Sequence, residues 1–595
     1  MSETKDPKMP AEKAPPGASN PVADKPPAAH SQPPPPPAPP GRPPPKNPGK
    51  VTVTIDGTEI AVEPGTNMIE AAAKVGSAIP YFCYHPRLSV AANCRQCMVQ
   101  VSNAPKLVPA CQTPLAEGQV IETGSQKARD QQRANMEFLL LNHPVDCAIC
   151  DQAGECRLQD YYMTHDNLPS RLEHGKVQKN KRKILGPTIV LDQERCILCT
   201  RCVRFMDEVA KEPQLGVFGR GSHEVLDIFP GQELTSNYSG NIVDICPVGA
   251  LLSRDTRFKA RSWFLSASPS TCTGCSRGCS IWADSYGQVT HRFRPRENEA
   301  INASWMCDKG RASYRDLSVD RLFVPLVGRG NQQREVSREE ARQAAAEALK
   351  AHLGKGLAVL VSPTVSNEDL MAALHLAREQ LSVKEIFVGG RAEGEADHYL
   401  LTADRNPNRK GLEWIAKGLG LTLRPFSELQ AALKKGSVQA LWAVGHEVPT
   451  DAATFAQSLE GLAQVVVQST HSTPLTAVST VALPAASHLE DEGSFTQLDG
   501  ITQRHRKAYP AQELAMPHWQ WVTELARGLG SESLWRSARD VFQAVKGEVP
   551  ELADFGWDTQ APRNKERRGI NPISTSADGR PPGYREFGAP RVRGI

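Results

Sequence analysis

Nowhere in its 595 residues does the chain hold an apolar run near the ~20 residues that cross a bilayer, so any membrane contact is expected to come through partners. The first residues lack the apolar segment of a secretory signal, which leads to the expectation of a reducing compartment. Charge of one sign is missing too. Lys and Arg number 69 against 66 Asp and Glu, a formal +3, so no global field for nucleic acid or an anionic surface follows. There is no Gly-x-Gly-x-x-Gly after a strand-like run and no Walker loop, which removes the usual signatures of a nucleotide site. The most telling absence is local. Residues 308–595 contain no cysteine, whereas all fifteen lie between Cys83 and Cys307. Structural thiols would scatter through every core, and an odd number in a reducing compartment is no disulfide framework. The clustering reads as ligands.

A chain of this length exceeds one core and should hold several domains. Residues 1–50 carry 18 of the 47 prolines and are expected to be a solvated, polyproline-like tail. In 51–125, alternating Val51, Val53 and Ile55, then Asp56-Gly57, then Ile60 and Val62 predict a hairpin, followed by a helix from Asn67 to Val75. Strand, turn, strand, helix is how a β-grasp domain starts. Within a domain at 126–185, residues 126–165 read as helical apart from "HPVDCAICDQAGEC" (143–156), and the basic connector "KVQKNKRK" (176–183) reads as solvated surface. Short elements around further cysteines fill 186–265, and the last cysteine group occupies 266–325. In 326–545, Ser337 and Glu340 predict a capping box, and "GLAVLVSP", "KEIFVGG", "VQALWAVGH" and "AQVVVQST" alternate with helical patterns. That alternation predicts a doubly wound α/β sheet. Residues 546–595 read as an extended tail, basic from Arg563, with eight Lys/Arg against three acids. The fold class expected is multidomain, α+β followed by α/β.

The cysteines fall into four groups. Cys83, Cys94, Cys97 and Cys111 set one close pair between two distant single thiols; after a β-grasp start this favours a [2Fe–2S] cluster, with zinc the competing metal. Cys196, Cys199 and Cys202, with a remote Cys246-Pro247, follow the bacterial ferredoxin pattern for a [4Fe–4S] cluster. Cys272, Cys275, Cys279 and Cys307 again supply four thiolates for a [4Fe–4S] cube, zinc remaining in competition. These groups use twelve cysteines and leave Cys147, Cys150 and Cys156, one ligand short of a cube; His143 stands where the fourth could come from. Arg95, Arg195, Arg201 and Arg204 flank ligand cysteines and either raise cluster potentials or serve packing. No residue is expected to do acid–base or nucleophilic work.

In this order, and through "HPVDCAICDQAGECRLQD" and "DQERCILCTRCVRFMDEV", the chain resembles the large iron–sulfur subunit (the G subunit) of bacterial NADH-quinone oxidoreductase, respiratory complex I, over about residues 51–545. The resemblance implies one [2Fe–2S] and three [4Fe–4S] clusters, with no FMN, NAD or molybdopterin. It implies single-electron relay from a flavin- and NADH-binding partner toward quinone, among other peripheral-arm subunits. The membrane arm would be reached indirectly, on the cytoplasmic side of the bacterial inner membrane, and no nucleic acid is involved. The fourth cluster occurs in only some members and is thought to lie off the main path. "VVVQSTHSTPLTAVSTVALPAASHLEDEGSFTQLDG" is similar to molybdopterin oxidoreductases, here shortened and without a later cysteine, which implies a degenerate domain lacking the pterin site. The alternatives are the iron–sulfur subunit of a formate dehydrogenase or hydrogenase complex, and a zinc-dependent interaction protein.

Overall fold

A computed structural model describes residues 49–531 and 535–558; most of the proline-rich segment and the whole stretch from Arg563 fall outside them. Strands β1 (Val51–Ile55) and β2 (Thr58–Val62) pair antiparallel, Ile55 opposite Thr58. Both turn residues, Asp56 and Gly57, have positive φ (46° and 83°), the combination that a type I′ hairpin requires. Helix α1 (Met68–Lys74) is capped by the Asn67 side chain, which accepts from Ile69 N–H at 2.9 Å. Strands β3 (Met98–Val101), β4 (Val108–Pro109) and β5 (Val120–Glu122) complete a sheet in the order β2-β1-β5-β3-β4, with β5 parallel to β1. Val53, Ile55, Val99 and Ile121 from the sheet and Met68, Ile69 and Ala72 from the helix form its core.

Helix α2 (Gln126–Leu141) leads into the histidine loop, and α3 (Arg157–Tyr161) leaves it. The basic connector lies at the surface, with Val177, Gln178, Asn180, Lys181 and Arg182 exposed, and its lysines find partners there. Lys176 donates to the α2 carbonyls Leu140 and Leu141 at 2.9 and 3.0 Å, and Lys179 to Glu224 O at 2.6 Å. Lys181 pairs with Asp146 and Glu194 at 2.9 and 2.7 Å, and Lys183 with Asp227 at 2.6 Å. Its charges are local partners for carboxylates and a helix terminus, and they strap the histidine loop to the third cysteine group's domain. Short helices α4 (Arg201–Arg204), α5 (Gly240–Ile245) and α6 (Asp308–Ala312) each adjoin a cysteine. Between α5 and α6 lies an antiparallel three-stranded sheet, Ser266–Thr271, Ser280–Tyr286 and Val289–Pro295, which the sequence reading did not anticipate.

The C-terminal half is the doubly wound α/β domain. Helix α7 (Arg338–Lys350) is capped by Ser337, whose Oγ accepts from Glu340 N–H at 3.2 Å; the Glu340 carboxylate pairs with Arg334, so the expected reciprocal box is only half made. The four apolar runs become parallel strands β6 (Leu357–Val361), β7 (Glu385–Val388), β9 (Ala440–Val444) and β10 (Gln464–Ser469), joined by β8 (Thr422–Pro425) and β11 (Val481–Pro484) in the order β11-β10-β9-β6-β7-β8. Two short antiparallel strands extend the β11 edge. Residues 546–558, the described part of the expected extended tail, pack onto this body instead: Val549, Leu552, Phe555 and Trp557 are buried in its core, because an apolar side chain every third or so residue has more to gain inside. Among the described residues, no helix is long and apolar enough to cross a membrane.

Candidate metal centres

The fold gathers each of the four groups. In the first, Cys97 and Cys111 are buried in the β-grasp core, Cys83 is buried beside it and Cys94 is half-buried. Their loop is turned by Ala92 and Arg95, both at positive φ, and held by α2: Gln96 donates to Gln132 O at 3.2 Å and Asn135 to Arg95 O. The four thiols share hydrogen bonds. Contacts from Cys111 and Cys94 favour the thiolate at Cys83, and the same sharing pushes the Cys94 and Cys111 thiols up.

The second group lies around one cavity of about 580 Å³ lined by His143, Cys147, Cys150 and Cys156 together. Cys147 is exposed, while Cys150 and Cys156 are buried. Burial holds His143 neutral, its pKa lowered to about 4, and its Nδ1 is buried with no hydrogen-bond partner. Two arginines brace the loop. Arg261 donates to Cys150 O at 2.8 Å and to Ala148 O, and Arg195 pairs with Asp146 at 2.7 Å. Burial raises the Cys150 thiol, with Arg195 working against it, and raises Cys156 to about 12.

In the third group, Leu198 and Thr200 at φ 52° and 59° alternate with the cysteines, coiling the loop so that Cys196, Cys199, Cys202 and Cys246 line one recess. Leu198 N–H donates to Cys196 Sγ at 3.4 Å. Burial raises Cys196 to about 12 and Cys199 to about 11. The fourth group is buried throughout, and Cys272, Cys275 and Cys307 all act electrostatically on Cys279. Cys307 caps α6, accepting from Gly310 N–H at 3.3 Å.

Glycines mark the space beside the thiols. A Cβ on Gly249 would fall far inside the 3.0 Å that real Cβ contacts respect, against Cys150 Sγ, and one on Gly310 would meet Cys272 Sγ at 2.9 Å. Among the described residues no three His, Cys, Asp or Glu side chains close on a single ion's shell. Soft thiolates, backbone N–H groups aimed at sulfur, an unpartnered buried imidazole nitrogen and side-chain-free flanks together fit iron–sulfur clusters.

The third group is the hub of the set. Arg204 donates one nitrogen to Cys83 O at 2.6 Å and Cys199 O at 3.3 Å, linking it to the first. Arg157 N–H donates to Pro247 O at 3.2 Å, linking the chain after Cys156 to that after Cys246. On the fourth group's side, Gly240 N–H at the start of α5 donates to Asp308 at 2.8 Å, and Asn241 to Met306 O at 2.8 Å. Sequence spacing named the four sets; these ties, and Gly249, Arg261 and Lys181, were beyond it because they join residues far apart in the chain.

Family models match in chain order: a 2Fe-2S iron-sulfur cluster binding domain over 49–126, an NADH-ubiquinone oxidoreductase-G iron-sulfur binding region over 132–168, the ferredoxin-like domain of NADH-quinone oxidoreductase subunit 3 over 186–252, a molybdopterin oxidoreductase Fe4S4 domain over 265–318, and molybdopterin oxidoreductase over 408–528. Curated relatives named as the G subunit of NADH-quinone oxidoreductase include those of Rickettsia felis, 40% identical over 53% of this chain and 47% of the relative, and Rickettsia bellii, 42% identical over 51% and 44%. That of Streptomyces coelicolor is 38% identical over 65% of this chain and 47% of its own length. The chain thus spans about half the length of the relatives it matches. The resemblance to the G subunit and the multidomain fold class read from the sequence are borne out.

Proposed function

We propose that this chain is an electron-relay subunit of an NADH-quinone oxidoreductase, taking single electrons from a flavin-bearing partner and passing them toward quinone. The observation that carries the reading is the gathering of four ligand sets around one of them, the third, with hydrogen-bonded backbone between neighbours. Cys83, Cys94, Cys97 and Cys111 would hold a [2Fe–2S] cluster. His143 with Cys147, Cys150 and Cys156, Cys196 with Cys199, Cys202 and Cys246, and Cys272 with Cys275, Cys279 and Cys307 would each hold a [4Fe–4S] cluster. Bound clusters supply reversible one-electron storage at potentials set by ligand type, hydrogen bonding and burial.

The chain's own residues do the rest. Burial covers most of the thiols and all four of the last group, and Leu198 and Gly310 N–H groups at sulfur stabilise thiolate charge. Arg195 and Lys181 hold Asp146, and with it the turn that presents Cys147. Partners are the flavin-bearing and other peripheral subunits, on the cytoplasmic side of a bacterial inner membrane.

Metal analysis tests the reading. The full chain, reconstituted anaerobically, should carry about 14 iron atoms with matching acid-labile sulfide, two from the first group and four from each other. It should not oxidise NADH without a flavin-bearing partner. Stoichiometric zinc with little sulfide, or NADH–ferricyanide turnover by the flavin-free chain, would refute it.

A narrower measurement addresses the histidine. His143→Ala should lose or convert the paramagnetic signal of the second group's cluster and leave the others, whereas His143→Cys should keep a cube at lower potential. An unaltered signal in the alanine variant removes His143 from the ligand set.

A further inference from the structure

Two guanidinium groups meet between the first three cysteine groups, and neither has an ion-pair partner among the described residues. Arg201, between Cys199 and Cys202, is only 4% exposed. Arg157 follows Cys156 and is half-buried. Their guanidinium carbons lie 5.8 and 4.8 Å from the centre of the same ring, that of Tyr81, two residues before Cys83. Arg201 donates to Ile245 O at 3.1 Å and to Tyr84 O, carbonyls adjoining Cys246 and Cys83. The Tyr81 and Tyr161 phenols act on Arg157 in favour of its charge. Arg157 acts on Arg201 as a like charge, and Asp160 and Arg157 attract each other without forming an ion pair.

A guanidinium withdrawn from water without an anion costs several kcal/mol, and two side by side cost more. Carbonyls and phenols solvate such charges but do not neutralise them. A fold that places both there needs a counter-charge nearby. The cysteine sets supply it only once loaded, because clusters held by thiolates bring net negative charge that grows on reduction.

We propose that Arg157 and Arg201 form a cationic hub whose counter-charge is the clusters of the first three groups, and that it stabilises their reduced forms. The inference rests on the proposed occupancy of those groups. Arg201 acts on the first and third clusters and Arg157 on the second and third, each through space, so the hub sets potentials without ligating iron. Arg is suited to the position because it stays charged when buried and is weakly hydrated.

The test compares Arg201→Met, Arg201→Lys and Arg157→Met in the full chain after anaerobic reconstitution. Redox titration followed by low-temperature EPR reads each cluster's midpoint potential, and iron analysis confirms loading. Arg201→Met should move the first and third potentials to lower values, Arg157→Met the second and third, and neither should move the fourth. Arg201→Lys, keeping the charge, should return most of the shift. If Arg201→Met fails to load, Arg201→Lys against wild type and Arg157→Met decide by the same criterion. Unchanged potentials in loaded methionine variants would overturn the hub, as would a lysine variant displaced as far as methionine, or a fourth potential that moves equally. Absence of iron from the wild-type chain would instead defeat the proposed function.

Discussion

Replacing Gly249 by alanine should strip the second cysteine group of its cluster while leaving the third and fourth loaded. The added methyl would occupy the position of Cys150 Sγ and press on Gln152 Cβ at 3.2 Å, and Cys150 is fixed from behind by Arg261 at its carbonyl. The thiol must then turn away from the cavity it shares with His143. Disturbing a residue that supports a ligand costs about 10–100-fold in metal affinity or activity, and displacing the ligand itself belongs at the upper end. Anaerobic iron analysis with EPR would show one signal missing, and quinone reduction per assembled complex would fall with it. Gly274→Ala is the control: its Cβ would stand 3.5 Å from Cys272 Sγ, an ordinary contact, and should change little. All four signals at wild-type strength in Gly249→Ala would mean that Cys150 does not face the second cluster.

Asp284→Ala should cost about 3–5 kcal/mol of local stability, the penalty for leaving buried charges without their partner. The Asp284 carboxylate, 1% exposed, accepts from Arg294 at 2.5 and 2.9 Å and from Arg292 at 2.6 Å. Arg292 reaches on to Glu155, in the loop of the second group, at 2.9 Å. Burial opposes ionisation of Asp284, but Arg294 and Arg292 outweigh it and hold its pKa below the usual carboxylate range. A depressed folded pKa means that the unfolded chain binds the proton first on acidification. The contribution is therefore complete above the unfolded value near 4 and is lost as pH falls below it. Native-state hydrogen exchange along Ser280–Tyr286 would read the loss as about two to four orders of magnitude faster exchange. Unchanged protection would show that the arginines find water or another partner.

How much of this was written in the sequence depends on the range of the contact. Cysteine spacings are local, so the four groups that the fold gathers could be marked out along the chain, and His143 was set beside the second of them by elimination, where it shares a cavity with Cys147, Cys150 and Cys156. Parallel strands buried on both faces read as apolar runs, which is why "LAVLV" and "ALWAV" announced themselves. The three-stranded sheet did not. Its first strand, "SASPST", is rich in Ser with a proline, and it is held by pairing with Ser280–Tyr286 rather than by its own propensity. Buried Asp284 and Arg294 and half-buried Arg292 sit at positions a hydropathy pattern assigns to water. Phe555 and Trp557 lay too near a basic, irregular end to read as core, although both pack beside Phe542.

The bond from Arg204 to the carbonyls of Cys83 and Cys199 bears on how such a chain matures. One guanidinium orders both loops, so filling either site lowers the entropy that remains to be lost at the other. Linkage makes that help reciprocal: whatever factor occupancy of the first group adds to the affinity of the third is returned in full. Under limiting iron the chain population would then divide into molecules with both sites filled and molecules with neither, and half-built conductors would be scarce.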